Sequence, residues 1–87
     1  MSMLKGKTAV VTGSTSGIGL GIAKALAEQG ANIVMNGFGE KDAAIAEVKA
    51  YGVEVEYHGA DMSKPSEIED MMRTAEKRFG GVDILVN

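Results

Sequence analysis

Residues 8–30 place the strongest constraint on what this chain can fold into. Thr8-Ala-Val-Val-Thr12 is a short apolar, β-branched run, and Thr12-Gly-Ser-Thr-Ser-Gly-Ile-Gly19 joins it to a helical pattern that closes at Gly30. An unalternating apolar run predicts a strand buried on both faces, as inside a parallel sheet. A strand, a glycine-rich turn and a helix in that order gather unpaired N–H groups and the positive end of a dipole at one point, which attracts a pyrophosphate. Gly13 permits the tight bend, Gly17 lets phosphates approach the backbone, and Gly19 lets the helix lie close to the strand. Ser14, Thr15 and Ser16 are small hydroxyl residues that could donate to phosphate or ribose. The competing view is a Gly/Ser-rich turn with no ligand, and the strand–turn–helix context weighs against it. No GxxxxGK(S/T) pattern is present, so P-loop triphosphate hydrolysis has no support.

The same alternation continues downstream. The first helix is expected to bury Ile18, Ile22, Ala25 and Leu26 and to expose Lys24 and Glu28. Ala31–Met35 reads as a second strand, with Asn36-Gly-Phe-Gly39 as its exit loop. A second helix is expected from about Glu40 to Tyr51, with Ala44, Val48 and Tyr51 inward and Gly52 as its stop. Its acids lie near the positive end and Lys49 near the negative end. Val53, Val55 and Tyr57 alternate with Glu54, Glu56 and His58, which suits a strand at a sheet edge. Pro65 opens a third helix with Ile68, Met71, Met72, Ala75 and Phe79 inward, and Val82–Val86 is a fourth strand. The sum is β-α-β-α-β-α-β, an α/β chain with helices long enough for parallel crossovers.

Composition narrows the function. At 87 residues the chain makes one small domain. A net charge of -3 argues against nucleic acid or an anionic membrane as partner. With no Cys and a single His, disulfides, thiolate metal sites, a Cys nucleophile and a His-based metal cluster are excluded. No apolar run approaches the roughly 18 residues of a spanning helix, and Met-Ser-Met-Leu-Lys-Gly-Lys lacks the apolar stretch of a signal peptide. A cytoplasmic location is the expectation from these absences.

The T-G-x-x-x-G-I-G spacing resembles the short-chain dehydrogenase/reductase family rather than the longer dehydrogenases with GxGxxG. Asp61-Met62-Ser63 is similar to that family's acidic stretch after strand three, and Val82-Asp-Ile-Leu-Val-Asn87 is similar to the run leading into its N-N-A-G. Within the family, Leu4–Ala23 and Asn32–Gly39 most resemble the bacterial D-3-hydroxybutyrate dehydrogenase branch. The resemblance implies a three-layer Rossmann-type sheet of order 3-2-1-4, of which residues 1–87 would be the N-terminal, dinucleotide-binding half.

It also implies roles. Gly13, Thr15, Ser16, Gly17, Ile18 and Gly19 would surround the pyrophosphate and ribose. Asp61 would bond the adenine amino group and the Met62 backbone the adenine ring. Phe38 would border the adenosine pocket, and Asn87 would lie beside the adenosine ribose and the nicotinamide end of the cleft. Other readings stand beside these: Asp61 as a helix cap, Phe38 as packing under its loop, Asn87 as a residue without function. NAD is the expected cofactor. An acid after strand two usually reads the ribose 2′-hydroxyl and an Arg the 2′-phosphate. Here Asn36-Gly37-Phe38-Gly39 offers neither, Ser14-Thr-Ser16 holds no Arg, and the first cation after strand two is Lys41.

The family's chemistry uses a Ser and a Tyr-x-x-x-Lys pair. Tyr51 has Val55 at the Lys position and Tyr57 has Asp61, so no residue here is a candidate catalyst and the chain alone should be inactive. Tyr51 and Tyr57 are expected to pack, His58 to be a plain surface residue, and Glu67, Glu69, Asp70, Glu76, Lys77 and Arg78 to form a solvated face with i,i+4 pairs. The resemblance implies a parent enzyme that exchanges hydride between NAD and a small secondary alcohol or ketone, 3-hydroxybutyrate and acetoacetate being the expected pair, as a homo-oligomer. The alternative is a non-catalytic fragment or assembly element that keeps the fold and has negligible cofactor affinity.

Overall fold

The computed structural model describes residues 3–87. Four parallel strands, β1 (Thr8–Val11), β2 (Asn32–Met35), β3 (Val55–Tyr57) and β4 (Ile84–Val86), form one sheet in the order β3-β2-β1-β4. Between them run α1 (Gly17–Glu28), α2 (Asp42–Lys49) and α3 (Pro65–Phe79). The expected α/β class and strand order are both realised.

The sheet is buried where the sequence is apolar without alternation. All four residues of β1 are buried, as are Ile33, Val34 and Met35 of β2. Pleating sends neighbours to opposite faces. Ala9, Val11, Ile33 and Met35 therefore meet α1 and α2, while Val10 and Val34 meet α3 through Met71 and Ala75. The first two crossovers run the same way across the sheet and the third reverses, which puts α3 alone on its face. Each fully buried Val or Ile contributes about 1.5–3 kcal/mol relative to exposure, so this sandwich of small helices on a β-branched sheet is the main stabilising element. The chain closes across β1 and β4: the Thr8 N–H donates to Asp83 Oδ2 at 2.9 Å and the Asp83 N–H to the Thr8 carbonyl at 2.9 Å.

Several expected details change. In α1 the buried residues are Ala23 and Ala27, with Leu20, Ile22 and Leu26 partly buried. Ala25 is exposed and Ile18 is 84% exposed, so neither belongs to the inward stripe. The helix is apolar nearly all round, so periodicity leaves its phase open, and the close approach to β1 selects the alanine face. Helix α2 is shorter than expected and ends at Lys49; Tyr51 lies beyond it, exposed, while Ala44 and Val48 are buried. The pairs on α3 are not i,i+4. Lys64–Glu67 and Arg73–Asp70 are i,i+3, and Arg78 reaches Glu54 before β3 at 2.8 Å.

Strand β4 carries an open surface. Leu85 aligns with Val10 and so shares the α3 face, yet it is 56% exposed because α3 packs over β1. β4 pairs with β1 alone among the described residues. An apolar edge with free N–H and C=O groups invites pairing with another chain. The 87-residue chain produced alone is therefore expected to self-associate and to be weakly stable. Size-exclusion chromatography with light scattering checks this, and a stable, soluble monomer would contradict it.

Candidate functional site

In a parallel sheet all strand carboxyl ends lie on one rim. Here that rim gathers the turn after β1, the Asn36–Gly39 loop after β2, the His58–Met62 segment after β3 and Asn87 after β4. Strand order reverses between β1 and β4, the crevice where ligands of open α/β sheets bind.

The turn leads into an uncapped helix start. Ser16 caps α1 in extended conformation with no side-chain hydrogen bond to the first turn, and that turn holds no acidic residue. Its leading N–H groups have no side-chain cap, and the dipole there favours negative charge. Gly17 has φ +57°, and a Cβ there would meet nothing within 4 Å, so open space adjoins the helix start. Ile18 stands exposed beside that space. Gly19 differs: a Cβ there would fall 2.0 Å from the Gly13 carbonyl oxygen, so its role in close packing is steric. Of the three hydroxyls, Ser14 is corrected. It is fully buried, accepting from the Asn36 N–H at 3.0 Å and donating to the Asn36 carbonyl at 3.2 Å, so it is no phosphate donor. Thr15 is half-buried and donates to the Phe38 carbonyl at 3.0 Å, while Ser16 is exposed.

The other wall comes from β2 and β3. Phe38 is 74% exposed and does not pack under its loop. Gly37 is buried, and a Cβ there would lie 2.5 Å from Thr15 Oγ1, which is how the Phe38 loop and the glycine turn come together. Asn36 sits between them, 2% exposed, donating from Nδ2 to the His58 and Ala60 carbonyls at 2.9 Å each. Asp61 is not a helix cap, since α3 begins after Lys64. Its Oδ1 accepts from the Ser63 hydroxyl at 2.7 Å and the Ser63 N–H at 2.9 Å. These two bonds, the hydroxyl's first, hold the Asp61 carboxyl below the usual carboxylate range. The charged form persists on acidification until pH falls through that lowered pKa, so at neutral pH Asp61 offers a carboxylate acceptor. Met62 is partly buried against the α3 face. Asn87 is exposed, its Oδ1 accepting from Thr12 Oγ1 at 3.2 Å, which ties it to the start of the turn.

Two further residues, His58 and Glu67, differ from the sequence reading. His58 is no plain surface residue: its side chain is 19% exposed, and Nε2 lies 2.7 Å from Asp70 Oδ2. The Ala60 N–H donates to His58 Nδ1 at 3.1 Å, which assigns the ring proton to Nε2. The His58 bond in turn holds the Asp70 carboxyl low. Glu67 is not merely solvated, since its Oε1 accepts from the Asp61 N–H at 2.9 Å. Tyr57 is partly buried, as expected for packing, and its hydroxyl donates to the Gly37 carbonyl. Among the described residues no group of three or more His, Cys, Asp or Glu is placed to hold a metal, and no helix is long and apolar enough to cross a membrane. A groove lined by Lys49, Val53, Glu54 and Arg78 lies at the opposite end of the sheet and takes no part in this rim.

Sheet order, crossover helices and glycine turn together define a Rossmann-type α/β fold. The short chain dehydrogenase family model matches residues 7–87, and the chain belongs to that family. It is 72% identical to the D-beta-hydroxybutyrate dehydrogenase of Cupriavidus necator, over 98% of this chain and 34% of that protein. Among solved structures it is similar to L-sorbose reductase from Gluconobacter frateurii, complexed with NADPH and L-sorbose, at TM-score 0.90 and 40% identity over all of this chain and 35% of that one. It is also similar to a 3-oxoacyl-(acyl-carrier protein) reductase from Brucella melitensis in complex with NAD, at TM-score 0.86 and 36% identity over 93% of this chain and 32% of that one. The chain thus spans about a third of the length of the proteins it matches.

Proposed function

We propose that residues 1–87 are the nucleotide-binding half of a short-chain oxidoreductase, and that the whole protein exchanges hydride between NAD and a small secondary alcohol or ketone, 3-hydroxybutyrate and acetoacetate first among them. The observation that carries this reading is the uncapped first turn of α1, with open space at Gly17, facing Asp61 and Phe38 across one sheet rim. The 72% identity to a D-beta-hydroxybutyrate dehydrogenase supports the substrate class. The residues fit the cofactor's parts. Gly13, Thr15, Ser16, Gly17, Ile18 and Gly19 would hold the pyrophosphate and ribose, while Phe38, Asp61 and Met62 would flank the adenosine. Asn87 would stand at the passage toward the nicotinamide. Bound there, the nicotinamide ring supplies hydride chemistry. Catalytic groups would come from outside these residues, since neither Tyr51 nor Tyr57 has a Lys four positions on.

Saturation-transfer NMR with NAD and with ATP tests the binding reading. Transfer to the adenosine protons of NAD supports it; silence from both ligands leaves the alternative, a non-catalytic fragment or assembly element.

Cofactor choice follows from charge. A 2′-phosphate needs a cation, and Lys41, the first after β2, lies with its Nζ 5.3 Å from the centre of the Tyr57 ring. The enzyme carrying this chain is therefore expected to show higher kcat/KM with NAD than with NADP. Equal or reversed preference in steady-state kinetics would refute the assignment.

A further inference from the structure

We propose that Asn36 is the positioning residue of the adenosine cleft, fixing the glycine-rich turn and the Asp61 loop in register with each other; this rests on reading the cleft as a nicotinamide-dinucleotide site. Asn36 joins the exits of three strands. Its backbone N–H donates to Ser14 Oγ at 3.0 Å, and its carbonyl accepts from the Ser14 N–H at 2.6 Å. Its side-chain NH2 spends both protons on the β3 exit, at the His58 and Ala60 carbonyls. Ser14 directly precedes Thr15 in the anion turn, and Ala60 directly precedes Asp61. One buried residue thus touches the neighbours of both walls and neither wall's ligand-facing group.

The chemistry selects asparagine. Two carbonyls converge on one nitrogen, so the side chain must carry two donors on one atom. Aspartate at neutral pH has none and would set a carboxylate against two carbonyl oxygens, and serine supplies one. Alanine leaves two acceptors without their partner in a buried or part-buried setting, where an unsatisfied group is costly. The end of β2 is where an acid commonly reads the ribose 2′-hydroxyl. In this chain Asn36, which directly follows β2, is turned inward to hold a neighbouring loop.

The test uses the natural protein that contains this sequence, with Asn36→Ala and Asn36→Asp. Affinities for NAD and ADP-ribose are expected to fall together by about tenfold or more, while kcat at saturating cofactor falls by less than about threefold. In an Asp61→Ala background, Asn36→Ala is expected to cost less than about threefold, because a positioning residue loses its effect when the group it positions is gone. Folded Asn36 variants with unchanged affinity for both ligands overturn the proposal, and so does full additivity with Asp61→Ala. If Asn36→Ala fails to fold, Asn36→Ser retains one donor and should show an intermediate loss; unchanged affinity there overturns the proposal equally. In the wild-type protein the Asn36 side-chain amide protons are expected to exchange slowly with solvent, and free exchange argues against the two bonds. A wild-type protein that binds neither NAD nor ADP-ribose defeats the reading of the site itself, whereas normal wild-type binding with indifferent Asn36 variants defeats only the role of Asn36.

Discussion

Gly19→Ala is expected to cost the protein much of its stability and its cofactor together. The new Cβ would stand 2.0 Å from the Gly13 oxygen, 2.7 Å from the Gly13 carbonyl carbon and 3.1 Å from the Ser14 Cα. All three are backbone atoms, so no side chain can swing aside. Relief requires α1 to lift from β1 or the turn to open, and either motion drags Ser14 from its bonds to Asn36. Overpacking typically costs about 1–3 kcal/mol, and a backbone collision this close belongs at or beyond the upper end. A melting temperature lower by roughly 6–12 °C is expected, with at least about tenfold weaker NAD binding. Gly21 is the control. It lies two residues on with nothing within 4 Å of its Cβ position, so Gly21→Ala should be neutral or slightly stabilising. Thermal melts of both variants with calorimetric titration of NAD check the pair; wild-type behaviour from Gly19→Ala would remove the steric account of the turn.

Gly17→Val is expected to separate binding from folding. No atom lies near its Cβ position, so packing does not require glycine there, but φ +57° does. A branched residue forced into the left-handed region costs about 1–2 kcal/mol, enough to lower the melting temperature and too little to unfold a stable enzyme. The side chain would fill the space at the head of α1 where the pyrophosphate is proposed to sit. NAD affinity should therefore fall below detection in a protein that still melts cooperatively. Unchanged affinity by calorimetry would make Gly17 a turn residue and nothing more.

Much of this fold can be read from local pattern. The unalternating runs at Thr8–Val11 and Ile33–Met35 are buried, the alternating run through Val55 and Tyr57 is an edge strand, and Pro65 opens α3. These features depend on neighbours within a few residues, where sequence carries the information. The phase of α1 is harder, because only Lys24 and Glu28 mark the outside among Gly, Ile, Leu and Ala, and its first turn carries no polar marker; Ile18 then falls on the open side of the helix start. Harder still are Ser14, Asn36 and His58. Ser14 and Asn36 face partners more than twenty positions away, and His58 finds Asp70 on a helix from another layer. The lack of an acid or Arg in Asn36-Gly37-Phe38-Gly39 is the one legible sign that the exit of β2 does something different here. The asparagine's two acceptors, being backbone carbonyls, leave no trace in residue type.

The sheet order also dictates when β1 is covered on both edges. β1 is the earliest strand in the sequence and is flanked on both sides, first by β2 and then by β4. Its two closures are unequal: Thr8 aligns with Asn32 on one side, and on the other it bonds Asp83 at a separation of 75 positions. Closing a loop about threefold longer costs only about 1 kcal/mol more entropy, so the second closure is not thermodynamically forbidding. It is nevertheless expected to form second, since long-range pairings form more slowly than local ones. On the ribosome the consequence is literal: β1 waits with one apolar edge bare until Val86 has been made. Between synthesis of β2 and of β4 that edge is open to pairing with another chain, and a translational pause before Ile84 would prolong the exposure.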